Sequence, residues 1–195
     1  MEKKLTIGSI IKDGLSIGLT NAVPIFVNLL LFILTVWIPY LNIGTIIGLC
    51  VGIPAKLSKG EELSMTEIFN PEYRKTMSEF FLSSGLITVG MMATFILIIP
   101  AFVLSIAWMF VLLLVVDKKK APIEAFGLSF KVTNGNKGVI FLALLVLMVI
   151  GFLIGMILAL IPVIGWVFCI VAMLVMIFVS IGVEAYCYKE LCADL

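Results

Sequence analysis

The chain has 195 residues, 63% of them hydrophobic and only 13% charged, with a mean hydropathy of +1.27 and a formal net charge of +1. A soluble domain of this length has too much surface to cover with so few polar side chains, whereas lipid tails solvate apolar side chains without penalty. The near-zero charge leaves no field to gather nucleic acid, and the absence of histidine removes the commonest general base and metal ligand.

Charge placement then organises the chain. Residues 14–55, 80–116 and 138–183 carry no Asp, Glu, Lys or Arg. Each window is about twice the ~20 residues that one spanning helix needs. Each is also interrupted near its middle, at Ile38-Pro39, Ile99-Pro100 and Ile161-Pro162. Proline disfavours helical geometry in the residue before it and removes a backbone donor, so each break reads as the tip of an αα-hairpin. The expected fold is therefore all-α: a polytopic membrane protein with six transmembrane helices in three hairpins, joined by short interfacial cytoplasmic helices. It forms a single membrane domain, 1–195, with pseudo-repeats of about 1–56, 57–116 and 117–195.

From the amino terminus, Met1 to Lys4 is charged, but no compact apolar core or small-residue cleavage site follows, so retention of this segment is expected. The first segment, about 3–20, is semi-polar and contains Gly14-Leu15-Ser16 followed by Thr20-Asn21. The first hairpin, about 22–38 and 40–55, is short for a bilayer core and is the weakest of the three: if any pair is re-entrant or shifted, it is this one. Its second helix carries Gly44, Gly48 and Gly52 on one face, a spacing that lets helices pack closely in lipid. The middle segment, about 57–78, holds two capping-box patterns, Ser64-x-x-Glu67 and Thr76-x-x-Glu79. Polar residues in or near the spans, among them Asn28, Thr35, Asn42, Thr45, Ser83, Thr88, Thr94 and Ser105, are expected to bond between helices.

The third segment, about 117–137, repeats the pattern as Gly127-Leu128-Ser129 and Thr133-Asn134. Pro122 suits a first helical turn, and Asn134-Gly135-Asn136 is expected to end one helix and begin the next. Lys118, Lys119, Lys120, Lys131 and Lys137 are candidate contacts for anionic lipid headgroups, at about 1 kcal/mol per charge near the surface. The plainer alternative is that they only set topology. In the third hairpin Gly151 and Gly155 form a second packing pair, and Glu184 is a candidate functional carboxylate, with solvated anchoring beside Lys189 as the alternative.

All thirteen Lys and Arg residues fall outside the hairpin tips, which places the charged side in the cytoplasm by the positive-inside rule. Trp37, Tyr40 and Trp166 flank two tips, as interfacial aromatics do. The expected location is the inner or plasma membrane with both termini cytoplasmic. The cysteines, Cys50, Cys169, Cys187 and Cys192, form no C-x-x-C pair and read as small buried hydrophobes.

Val116-Asp117, Ala121-Pro122-Ile123-Glu124-Ala125-Phe126 and Ser129 through Thr133-Asn134-Gly135-Asn136-Lys137 resemble a loop of uncharacterised bacterial and archaeal multi-spanning proteins of the DUF975 and YciC type. They are also similar to the membrane domain attached to some glycerophosphodiester phosphodiesterases. Ile38 to Thr45, Phe69, Tyr73-Arg74-Lys75 and Glu79-Phe80-Phe81 share the likeness, whereas Gly138 stands where such proteins carry an aromatic. The resemblance implies a six-helix membrane module without phosphodiesterase chemistry, which belongs to a separate histidine-bearing domain.

Two functions follow as expectations. The first is a non-catalytic module that binds lipid or a partner protein, with no cofactor and no metal. The second is a small channel or transporter assembled from several copies. The expected partners are membrane lipids, with a second copy of the chain or another membrane protein as further partners. An intramembrane enzyme needs a nucleophile and base, or metal ligands, at membrane depth, and no such grouping is present in the sequence.

Overall fold

A computed structural model describes residues 4–94, 98–161 and 164–195, without the side chains of 98, 99 and 164. The described residues form helices and turns, with no strand among them. The first helix, α1 (Ile7–Thr20), starts on a capping box in which the Thr6 and Ser9 side chains each accept the other's backbone N–H. It ends at Asn21, and α2 (Ala22–Thr35) leaves at 68°. Each is only 14 residues, about 21 Å, too short to cross a bilayer core alone.

Ile38 then turns the chain, and Pro39 sits in the first turn of α3 (Pro39–Ile47), where its missing N–H costs nothing. A π-turn over Gly48–Gly52 links α3 to α4 (Ile53–Lys59), giving one rod from Pro39 to Lys59. Gly60, in the left-handed conformation, ends it. A 3₁₀ turn (Glu67–Phe69) and α5 (Glu72–Lys75) follow before α6 (Met77–Thr94).

Next come α7 (Ile98–Ala107), which holds Pro100 in its first turn, and α8 (Val111–Asp117). Between them the ladder breaks at Trp108–Phe110, and Ser129 repairs the break from α9 (Pro122–Thr133). Its hydroxyl donates to the Ala107 carbonyl at 2.7 Å and accepts the Phe110 N–H at 3.3 Å. Asn134 closes α9, Gly135 takes positive φ, and Asn136 opens α10 (Lys137–Ala159). The last helix is α11 (Ile164–Cys192). It folds back on α10, with Met176 against Gly151 and the Cys169 thiol facing the Gly155 carbonyl. The third hairpin turn begins at Leu160–Ile161; Pro162 itself lies outside the described residues, as does the stretch before Ile98.

Four helices among the described residues are long and apolar enough to cross a membrane: Pro39–Lys59, Pro100–Asp117, Lys137–Ala159 and Gly165–Cys192. A fifth is counted if α1 and α2 form one bent span. The sequence pattern predicts six. The difference arises in the first hairpin, where α2 is too short, and at α6, which Ser78, Glu79, Ser83 and Ser84 make more polar and whose continuation past Thr94 is outside the described residues.

A second difference concerns the middle segment. It folds back along the Pro39–Lys59 rod, so that Ile68, Tyr73 and Arg74 cover the glycine face. The Arg74 guanidinium reaches to 4.6 Å from the Tyr40 ring. The first hairpin tip and the middle segment, expected on opposite sides of the membrane, therefore touch. Neither middle-segment capping box forms. Ser64 Oγ takes the Thr66 N–H, Glu67 turns to Lys56, and Thr76 Oγ1 donates back to the Tyr73 carbonyl.

Packing is graded along the molecule. In the Pro39–Lys59 rod 61% of the apolar window is buried inside the protein; in α10 the figure is 11%. The buried core gathers α8 with the last turns of α11 and parts of α1, α9 and the Pro39–Lys59 rod, including Phe110, Leu114, Val51, Ile10, Ala125 and Cys187. Beyond Leu147 the third hairpin leaves it, with Met148, Phe152, Ile157 and Trp166 exposed. Such a surface suits lipid and not water.

Candidate functional site

Three helix ends meet at the charged end of the molecule. Lys59 closes α4, Asp117 closes α8, and Tyr188 lies in the last turns of α11. Asp117 accepts from the Lys59 ammonium through one oxygen and from the Tyr188 hydroxyl at 3.1 Å through the other. One carboxylate thus ties together elements up to 71 positions away.

One turn back on α4, Lys56 pairs with Glu67 at 2.8 Å. Glu67 is buried, 3% exposed, and a charge in such a place needs several partners. It has them: Tyr73 donates to Oε1 at 2.6 Å and Asn70 donates at 3.4 Å. Burial, and then the hydrogen bond to the Glu67 carboxylate, push the Tyr73 phenol above its ordinary pKa. The Tyr73 ring fits only because Gly52 faces it; a β-carbon there would overlap the ring. The buried Asn28 side chain of α2 pins the same segment, donating to the Ser64 carbonyl at 2.8 Å and accepting the Ile68 N–H at 3.0 Å.

Around these pairs lie three cavities. One of about 340 Å³ is lined by Lys59, Lys118, Tyr188, Lys189 and Cys192. A second, of about 180 Å³, lies among Lys56, Glu61, Tyr73 and Lys119, and a third, of about 230 Å³, among Lys75, Glu79, Lys119 and Lys120.

No family model, curated protein or solved structure matches this chain.

The charged end accordingly stands on its own geometry. Of the lysines singled out from sequence, Lys118, Lys119 and Lys120 border these cavities. Lys120 also pairs with Glu124 at 3.1 Å. Lys119 is exposed and held at positive φ. Lys131 is exposed at the end of α9, and Lys137 stands apart at the start of α10, its ammonium 3.6 Å from the centre of the Phe130 ring.

Glu184 is half-buried on α11 and makes no hydrogen bond or ion pair among the described residues. The glycines divide. Gly44, Gly48 and Gly52 face the middle segment, Gly151 faces the flexible Met176, and Gly155 has open space where a β-carbon would stand. The tightest helix crossing involves others: Gly14 and Gly18 of α1 meet Gly182 of α11, backbone against backbone. Its sequence signal was the Gly14-x-x-x-Gly18 spacing, hidden inside the repeated motif.

Asn28 bonds away from its own helix, as expected of a polar residue in a span, whereas the linking roles of Glu67 and Asp117 emerge only from the structure. No group of three or more Cys, Asp or Glu residues suited to a metal occurs among the described residues.

Proposed function

We propose that this chain is a non-catalytic, multi-pass membrane module that holds anionic lipid headgroups at its charged end. The carrying observation is the convergence of Lys59, Lys118, Lys119, Lys120 and Lys189 on water-accessible cavities at the end away from the exposed tip of the third hairpin. A phosphate there meets several ammonium groups in a frame already fixed by the Lys56–Glu67 and Lys59–Asp117 pairs. Excess lysine at this end supports a cytoplasmic orientation.

Native mass spectrometry from mild detergent tests the reading, since it reports retained lipid and subunit number together. The module retains phosphatidylglycerol over phosphatidylcholine, and Lys118→Gln/Lys119→Gln/Lys120→Gln removes much of that preference. A lipid-free monomer contradicts it.

The alternative is a channel or transporter built from several copies. It draws on the 11% burial of the α10 window, because such a helix has room for a second copy. A closed ring in the same spectrum, with ion flux in liposomes, favours it.

A further inference from the structure

A separate groove lies away from the lysine cavities, between α7 and α10. It encloses about 320 Å³ and is lined by Phe102, Val103, Ile106, Gly138, Phe141 and one charged residue, Lys137. Its walls are carbon apart from that one ammonium. Phe102 and Phe141, both lining the groove, meet edge to face with ring centroids 5.8 Å apart.

Gly138 creates the space. Nothing lies within 4 Å of where its β-carbon would be, so a larger side chain at this helical position would occupy the groove. Lys137 is the complement. It forms no ion pair with another described residue, and its partly exposed ammonium lies 3.6 Å from the centre of the Phe130 ring. The first turn of α10 adds backbone N–H groups with no acceptor inside the helix. An apolar slot beside a largely exposed helix, with its one cation at that helix's first residue, has the polarity of a phospholipid: a carbon chain joined to a phosphate.

We infer that the α7–α10 groove holds one acyl chain of an anionic glycerophospholipid whose phosphate sits on the Lys137 ammonium. The inference rests on the lipid-binding reading but uses a different place and different residues. Its test uses the full chain in detergent micelles with phosphatidylglycerol bearing a photoactivatable acyl chain. After irradiation, crosslinked peptides map to Phe102–Ile106 or to Gly138–Phe141. Gly138→Phe abolishes that crosslink, whereas Gly138→Ala keeps it.

Lys137→Gln lowers phosphatidylglycerol occupancy about fivefold, the worth of one surface lysine, and erases the preference over phosphatidylcholine. Crosslinks confined to other helices, or equal labelling of Gly138→Phe and wild type, overturn the inference. The wild-type map decides even if Gly138→Phe fails to fold. The Lys118→Gln/Lys119→Gln/Lys120→Gln protein separates the two readings. Loss of headgroup preference with the groove crosslink intact leaves the groove standing alone. Loss of the groove crosslink only in Gly138→Phe, with lysine-dependent retention elsewhere unaffected, shows the two sites to be independent.

Discussion

At the scale of single residues, the polar groups sort by what they can reach. Thr35, Thr45, Thr88, Thr94 and Ser105 were expected to bond between helices. Each instead donates to a carbonyl three or four residues back on its own helix. That route keeps a hydroxyl satisfied without any neighbour, so it carries no information about packing. Asn42 Oδ1 and Ser83 Oγ are buried without a hydrogen-bond partner among the described residues. Asn28, with a longer side chain and both donor and acceptor, reaches the middle segment.

Glu67 is the residue whose loss should matter most. Replacing it by Gln leaves Lys56 facing a buried site without its countercharge, at a cost of about 2 kcal/mol, below the range for fully buried pairs because Lys56 is 30% exposed. Glu124→Gln, in the more exposed pair with Lys120, should cost under about 0.5 kcal/mol. Thermal unfolding in one detergent, comparing both variants with wild type, checks the difference.

At the scale of elements, sequence pattern located the break at Ile38-Pro39 and the helix boundaries around Pro122 and Asn134–Asn136, because proline and the Asn-Gly-Asn turn act locally. Pro39 and Pro122 each occupy a first helical turn, and Asn134 to Asn136 separates α9 from α10. Both copies of the Gly-Leu-Ser motif lie in helices that end at their Thr, Thr20 in α1 and Thr133 in α9. Their serines differ, however: Ser129 repairs the α7–α8 break, whereas Ser16 is exposed.

What a glycine faces was not legible, because the spacing of small residues is the same whether the neighbour is lipid, a short segment or a helix. Only the folded chain distinguishes Gly182, jammed against α1, from Gly155, facing open space. Gly182→Ala should therefore force α1 from α11, costing roughly 2–4 kcal/mol, since the obstructing atoms are backbone of Gly14 and Gly18. Gly127→Ala, mid-helix in α9 with nothing nearby, should raise stability by about 0.5–1 kcal/mol. Opposite shifts in the unfolding midpoint are the expected result, and equal shifts would contradict the α1–α11 contact.

At the scale of the whole molecule, two kinds of surface coexist. One end is packed like a soluble domain, with paired charges and lysine-lined cavities; the other is an apolar hairpin with most of its surface exposed. The Arg74–Tyr40 contact, by contrast, draws the first hairpin tip toward the middle segment, so this hairpin is a poor reporter of sidedness. The third hairpin is a good one, because Trp166 is 78% exposed at its tip and α10 and α11 are both long enough to cross.

The central claim is that the charged end and that tip lie on opposite sides of a membrane. In a chain whose four native cysteines are replaced by serine or alanine, single cysteines at Lys119 and Trp166 are labelled with a membrane-impermeant maleimide in sealed vesicles of known orientation. The account predicts that Lys119→Cys reacts only from the cytoplasmic face and Trp166→Cys only from the opposite face. Labelling of both positions from the same face would contradict it.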